Sequence, residues 1–261
     1  MGSNIKLYTA ASPNGFKVSI TLTELALPFT VVTVDVRNGE QKSPSFLQIN
    51  PNGKIPALTD GDLSIWESGA ILLYLVEKYD VNSRISFKSS DDPANYWQMV
   101  GWTMWHVAEQ MPPQGTFTKL QLWSLGSESR LTIGDLNLVM AMHFTYFAPV
   151  RSDYGQQKSL EDCNRAYGIL DNHLTSRTYL VGEKFTIADI AVYSGTMSAD
   201  KVELDLARWP NIMKWMDRIE AREGVQAGIK IPQSQYTKEE IADWFRGLKE
   251  KLKQGGNADA S

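Results

Sequence analysis

The sequence predicts an α/β part followed by an all-α part, and three observations carry that expectation. Short apolar runs alternate with amphipathic stretches over the first third, the pattern beyond about residue 92 is almost wholly helical, and no strand signal of comparable strength returns. Ile5-Lys6-Leu7-Tyr8 reads as a strand, Gly15 to Ala26 as a helix with Val18, Leu22 and Leu25 on one face, and Phe29 to Val36 as a valine-rich second strand. That is a βαβ unit. A polar loop from Asn38 to Ser45 and the turn cluster Asn50-Pro51-Asn52-Gly53 come next. Ile55 to Thr59 and Leu63 to Ile65 then flank Asp60-Gly61-Asp62 as the arms of a hairpin. Helical spacing resumes from Ser68 to Tyr79, with Ile71, Leu72, Leu75 and Val76 forming an apolar stripe.

The stretch from Asp80 to Asp92 is polar and reads as a linker, its end Ser89-Ser90-Asp91-Asp92-Pro93 supplying an N-cap and a proline for the next first turn. Helical patterns follow at Ala94 to Met111, around Leu136 to Phe147, and at Ser159 to Arg177, Thr186 to Ala199, Pro210 to Arg222 and Lys238 to Leu252. The expected organisation is an N-terminal domain over 1–84, a helical domain over 92–252 and a flexible tail over 253–261, which holds no apolar residue larger than Ala.

Composition excludes several partner classes. With 26 Lys+Arg against 30 Asp+Glu, a net charge of −4 offers no footprint for nucleic acid, whose phosphates need a clustered excess of basic residues. A single cysteine, Cys163, allows no intrachain disulfide framework, CxxC redox pair or cysteine-based zinc site, so the chain reads as cytoplasmic. No apolar run reaches the roughly 18 residues of a membrane span. The N-terminus lacks a signal-peptide pattern, and Lys6 stands where myristoylation needs Ser or Thr. His106, His143 and His173 have no metal-ligand spacing, and no metal is expected.

Three local features could carry chemistry. Ser12-Pro13-Asn14-Gly15 stands where the first strand hands over to the first helix. Such a helix start either uses Ser or Asn as a plain cap, or presents free N–H groups and side-chain donors to an anion such as a thiolate or phosphate. Trp66-Glu67-Ser68 opens the helix after the hairpin. Its carboxylate and hydroxyl either cap that helix or hold the ammonium and carboxylate of an amino-acid-like ligand. In Lys54-Ile55-Pro56-Ala57 a proline sits at a strand start. An ordinary trans turn and a cis bond are both open there, and the cis form would leave the Ile55 backbone free to pair with an extended peptide.

Together with Asn50-Pro51-Asn52-Gly53-Lys54-Ile55-Pro56-Ala57-Leu58, Ile65-Trp66-Glu67-Ser68-Gly69-Ala70-Ile71 and the capping-box run Phe185-Thr186-Ile187-Ala188-Asp189-Ile190-Ala191, this junction resembles the glutathione transferases. The order and spacing fit over most of the chain. Pro13-Asn14-Gly15 followed by Phe16-Lys17-Val18 is most similar to the fungal nitrogen-regulator-like members and their bacterial nu-type relatives; several other classes use Tyr, Ser or Cys near this point. The resemblance implies a thioredoxin-like N-terminal domain that binds glutathione and an all-helical C-terminal domain that supplies a second-substrate pocket, in a homodimer. By the same resemblance, Asn14 and Ser12 would hydrogen-bond the glutathione sulfur, and Ile55 beside cis-Pro56 would pair with the cysteinyl part. Glu67 and Ser68 would hold the γ-glutamyl group, with Gln41 and Lys54 near the glycyl carboxylate.

Donors at a helix N-terminus favour the thiolate over the thiol, so the implied chemistry needs no nucleophile from the protein. Two departures from the family pattern stand out. About twenty extra residues around 115–137 carry Leu and Trp, which suits either a packed lid on the second-substrate pocket or a surface loop. Lys158 occupies a position where bacterial relatives would place an arginine reaching glutathione. Cys163 is expected to be a buried small hydrophobe, and Trp97, Trp102 and Trp105 to be core and domain interface.

The implied reaction is conjugation of glutathione to a small hydrophobic electrophile, or glutathione-dependent peroxide or disulfide reduction. A tailoring enzyme acting on one intermediate of fungal small-molecule biosynthesis, with or without glutathione, is a second expectation. A non-catalytic regulatory or ligand-binding homologue is a third. The fungal regulator of this type carries a long Asn/Gln-rich N-terminal segment, whereas the first strand here is expected to begin within a few residues of Met1, which lowers the regulator expectation.

Overall fold

The computed structural model describes residues 4–36, 38–112, 153–199, 204–233 and 237. The expected insertion, the helices expected around Leu136–Phe147 and Lys238–Leu252, His143 and the tail lie outside the described residues.

Four strands form one sheet in the order β2-β1-β3-β4: β1 (Ile5–Thr9), β2 (Phe29–Thr33), β3 (Ala57–Asp60) and β4 (Leu63–Trp66). β1 runs parallel to β2 and antiparallel to β3, and β3 is antiparallel to β4. The parallel pair needs a crossover, which helix α1 (Pro13–Glu24) supplies. The antiparallel pair needs only a tight turn, supplied at Gly61 with φ +62°. This is the thioredoxin-like arrangement. Ile5 and Leu7 are buried and Lys6 is exposed, the alternation of a strand with one face on the core.

Some boundaries differ from the sequence reading. β2 ends at Thr33 rather than Val36, and the expected polar loop contains a turn of 3-10 helix at Glu40–Lys42 and a short helix, α2 (Pro44–Leu47), capped by Ser43. Helix α3 (Ser68–Tyr79) has the predicted limits. It is tied to the sheet through Asp60, whose Oδ2 accepts from Tyr74 Oη, Lys78 Nζ and Tyr79 Oη at 2.7, 2.7 and 2.5 Å.

After the linker come α4 (Pro93–Trp105), α5 (Asp153–His173), α6 (Ile187–Thr196), α7 (Pro210–Glu220) and α8 (Glu223–Gly228). Asp92 caps α4 through the Asn95 N–H, with Pro93 in the first turn as predicted. Every residue of α6 is buried, its polar Asp189, Ser194 and Thr196 included. Trp97 departs from expectation: it is 64% exposed, because the buried positions of α4 are Met99 and Thr103.

By their contacts the residues fall into two compact units. One comprises the described residues within Met1–His106, Leu170–Ser198 and Leu206–Ser234; the other comprises the described residues within Val107–Ile169, Ala199–Asp205 and Gln235–Ser261. In the first unit α1 is covered by α8. Ser19 Oγ donates to the Gly228 carbonyl and Thr23 Oγ1 to that of Gly224, both at 2.7 Å, and Arg222 forms a two-pronged ion pair with Glu24 at 2.9 and 2.7 Å. A side chain at Gly228 would lie 2.7 Å from the backbone nitrogen of Ile20, so only glycine lets the helices approach this closely.

Candidate functional site

The sheet register gathers the three sequence motifs. Tyr8 pairs with Ala57, and Ala57 with Trp66, so the end of β1, the start of β3 and the end of β4 lie side by side. β1 leads out to Ser12-Pro13-Asn14-Gly15, β3 is entered through Ile55-Pro56, and β4 runs directly into Glu67-Ser68. Residues more than 50 positions apart thus meet at one end of the sheet for a purely topological reason.

At the first junction, Ser12 is the N-cap of α1 and its Oγ accepts from the Gly15 N–H at 3.1 Å. The capping role is therefore real, and it uses only an acceptor lone pair, leaving the hydroxyl hydrogen to donate elsewhere. Gly15 is buried, and a side chain there would sit 2.6 Å from the Ala10 carbonyl oxygen, so the turn closes only around glycine. Asn14 stands in the first helical turn. Its Oδ1 accepts from Lys17 Nζ at 2.7 Å, which turns the amide NH2 away from the lysine; that NH2 has no partner among the described residues.

At the third junction, Glu67 adopts φ +69° and ψ +117°, a region that costs a non-glycine residue on the order of 1 kcal/mol or more. The Ile71 N–H bonds the Glu67 carbonyl at 2.9 Å and holds it there. The carboxylate makes no cap hydrogen bond and is exposed, so capping does not account for this glutamate. Ser68 is buried, and its Oγ accepts from Lys17 Nζ at 3.0 Å.

Lys17 is the residue that sequence reasoning missed. Its side chain is 2% exposed and its ammonium joins Asn14 to Ser68. Burial pushes that ammonium down to about 7, against the pull of the Glu67 carboxylate. The spacing from Asn14 to Lys17, one helical turn, was the available signal.

At the second junction, Ile55-Pro56 is cis, and the Ile55 backbone makes no hydrogen bond among the described residues. Asn50 shapes the preceding turn: its Nδ2 donates to the Lys54 carbonyl at 2.6 Å and its Oδ1 accepts from the Asn52 N–H at 2.9 Å. Gly53, at φ +61°, packs against Gln41, whose carbonyl oxygen would be 3.0 Å from any added side chain. Gln41 and the Gly53-Lys54 turn therefore share one corner. Gln41 Nε2 donates to the Val36 carbonyl at 3.3 Å, and its Oε1 is buried with no hydrogen-bond partner. A Gln41 that received an anion would have to turn its NH2 outward.

Lys158, on α5, is exposed and paired with Asp162 one turn on, at 2.5 Å. Cys163 is buried as expected, and burial, reinforced by Asp162, pushes its thiol up to about 12. A thiol so far from ionising is a poor nucleophile. Cys163→Ser is accordingly expected to leave any glutathione-dependent disulfide reduction within about twofold of wild type, and loss of that activity in a disulfide reduction assay would contradict this reading. Among the described residues no cluster of three or more His, Cys, Asp or Glu could hold a metal ion, and no helix is long and apolar enough to cross a membrane.

A thioredoxin-like sheet whose strand ends bring together a capped helix start, a cis-proline and a strained glutamate is the scaffold of a glutathione S-transferase. The chain belongs to that family: residues 3–77 match the glutathione S-transferase N-terminal domain and residues 135–223 the C-terminal domain. It is similar to the disulfide-bond oxidoreductase YfcG of Escherichia coli, at 32% identity over 84% of this chain and 91% of that protein. It is also similar to Protein URE2 of Candida glabrata, at 28% identity over 84% of this chain. The match spans 65% of that protein's length. Among solved structures it resembles a glutathione transferase homolog from Lodderomyces elongisporus crystallised with two GSH per subunit, with a TM-score of 0.72, 31% identity, and coverage of 88% of this chain and 99% of that one.

Proposed function

We propose that this chain binds glutathione at the three strand ends and stabilises its thiolate for attack on a small hydrophobic electrophile, a peroxide or a disulfide. The observation that carries this reading is the polarity of Asn14. With its oxygen committed to Lys17, its NH2 is left as a donor at the N-terminus of a 12-residue helix, where an anion is favoured. The Ser12 hydroxyl is a second donor at the same junction. Glu67, an exposed carboxylate on strained backbone, suits the ammonium of the γ-glutamyl group, and the Ser68 hydroxyl suits its carboxylate. The uncommitted Ile55 backbone suits the cysteinyl peptide group, and Gln41 and Lys54 suit the glycyl end.

Glutathione supplies the nucleophilic sulfur. The protein's own residues bind it, orient it and lower the free energy of its anion, which is positioning and electrostatic stabilisation without a covalent step on the chain. The buried, un-ionised Cys163 supports that division of labour. The glutathione part is residues 1–84, the helical part 92–252 supplies the second-substrate pocket, and the chain works in the cytoplasm as a homodimer. The exposed Trp66, Trp97 and Met104 are apolar surface that a second copy would cover.

The test is turnover of the purified protein with reduced glutathione against three acceptors: an aryl halide, an organic hydroperoxide and a small disulfide. Glutathione-dependent turnover above the uncatalysed rate with at least one of them is expected. No turnover with any, in a protein that still binds glutathione, would replace the enzyme by a ligand-binding homologue.

A further inference from the structure

We infer that Lys17 is a positioning residue of the glutathione site: one buried ammonium, donating to the Asn14 carboxamide oxygen and to the Ser68 hydroxyl oxygen, sets which way both groups present their own hydrogens to the ligand. The inference rests on the glutathione reading and extends it to a residue with no direct part in binding.

The geometry dictates the polarity. A carboxamide accepts at one end and donates at the other, and a hydroxyl has a single hydrogen. A lysine ammonium only donates. With Lys17 Nζ 2.7 Å from Asn14 Oδ1 and 3.0 Å from Ser68 Oγ, the oxygen of each group is turned to the lysine and the hydrogens of each are turned elsewhere. A water in the same place could orient either way and would leave both groups free to flip. A carboxylate would reverse them, so that Asn14 offered its oxygen to an anion. Of the common side chains that reach this far from α1, an ammonium turns both ends of the site into donors at once.

The fold gains little from this arrangement. Lysine is rarely buried without a charged partner, because its ammonium loses its hydration. Here both hydrogen-bond partners are neutral, and Glu67 is exposed. Methionine would fill nearly the same volume without that desolvation. A buried cation that the fold would be as well without, in contact with two proposed ligand-binding residues, is accounted for by what it does to those residues.

The test is Lys17→Met, read in three ways. The melting midpoint of the ligand-free protein is expected to equal or exceed that of wild type, whereas a structural lysine would lower it. Affinity for S-methylglutathione, which has no thiol to ionise, is expected to fall about tenfold through Ser68. The pKa of the bound glutathione thiol, followed by the ultraviolet absorbance of the thiolate, is expected to rise by about one unit. In an Asn14→Ala background the same substitution should produce no further rise, because the lysine acts on the sulfur through Asn14.

A lowered midpoint with unchanged affinity and unchanged thiol pKa would overturn the inference. Lys17→Leu, neutral and without a donor, gives the same readouts if the methionine variant does not accumulate; failure of both to fold would make Lys17 scaffold and overturn it too. Wild-type protein that binds neither glutathione nor S-methylglutathione would take down the glutathione reading itself. Wild type that binds, beside an indifferent Lys17→Met, removes only the role of the lysine.

Discussion

Asn14→Ala is expected to lower the glutathione-dependent rate by about 100-fold or more while changing glutathione affinity only a few-fold. The asymmetry follows from where the lost hydrogen bond matters. The Asn14 NH2 faces away from Lys17 at the start of α1; on the proposed reading it meets the sulfur, while affinity would be carried by the groups proposed to hold the γ-glutamyl, cysteinyl and glycyl parts. Removing the donor raises the thiol pKa and leaves less thiolate at neutral pH. The rate of the variant should therefore climb with pH over a range in which wild type is already flat. Steady-state kinetics across pH check both points, and unchanged turnover would remove Asn14 from the chemistry.

Asp189→Ala is expected to be the most damaging single change to stability, on the order of 3–5 kcal/mol. The carboxylate is fully buried at the start of α6 and accepts four hydrogen bonds. The Leu180 N–H and Trp215 Nε1 reach Oδ1 at 2.9 and 3.0 Å, and the Thr186 N–H and Oγ1 reach Oδ2 at 2.9 and 3.1 Å. Burial nevertheless pushes its carboxyl up to about 6, which shows how much desolvation those donors must offset. Alanine would leave the donors buried without an acceptor. Thr186→Ala, which removes one cap oxygen and leaves the carboxylate, should cost only about 1 kcal/mol. Urea unfolding at neutral pH, compared by midpoint at equal slope, distinguishes the two, and similar losses for both would mean that Asp189 is no more than half of a cap.

The same residues show how much of the molecule was legible in the sequence. Thr186 and Asp189 were readable as a capping box because the motif is local, and the hairpin at Gly61 and the limits of α3 were readable because turn residues and a clean apolar stripe mark them. The burial of α1 was not. The Val18, Leu22 and Leu25 stripe predicts one buried face, but α1 carries α8 on another side, and its polar residues Ser19 and Thr23 bond to the Gly228 and Gly224 carbonyls rather than to water. Hydroxyls in place of charges on that face were the signal. Helix α8, at six residues, is too short for periodicity to announce. Ser43-Pro44 marks the start of α2 with a cap and a first-turn proline, a signal present in the sequence but submerged in its polar surroundings.

For the candidate site, the motifs were legible and their geometry was not. Residue types marked the segments around Ser12 and Asn14, Ile55-Pro56 and Glu67-Ser68 while leaving capping and binding both open, and the family resemblance singled out the individual residues. Only the register of β1, β3 and β4 brings their strand ends together, and only the backbone of Glu67, at φ +69°, distinguishes a presented carboxylate from a cap.

Glutathione binding at the three strand ends is tested by calorimetric titration of wild type and Glu67→Ala with reduced glutathione and, separately, with glutathione disulfide. Wild type is expected to bind at least one of them with a dissociation constant in the micromolar-to-millimolar range, and Glu67→Ala to weaken that binding by about tenfold or more while melting within a few degrees of wild type. Wild-type protein that takes up neither form, or a Glu67→Ala variant that binds as tightly as wild type, would contradict it.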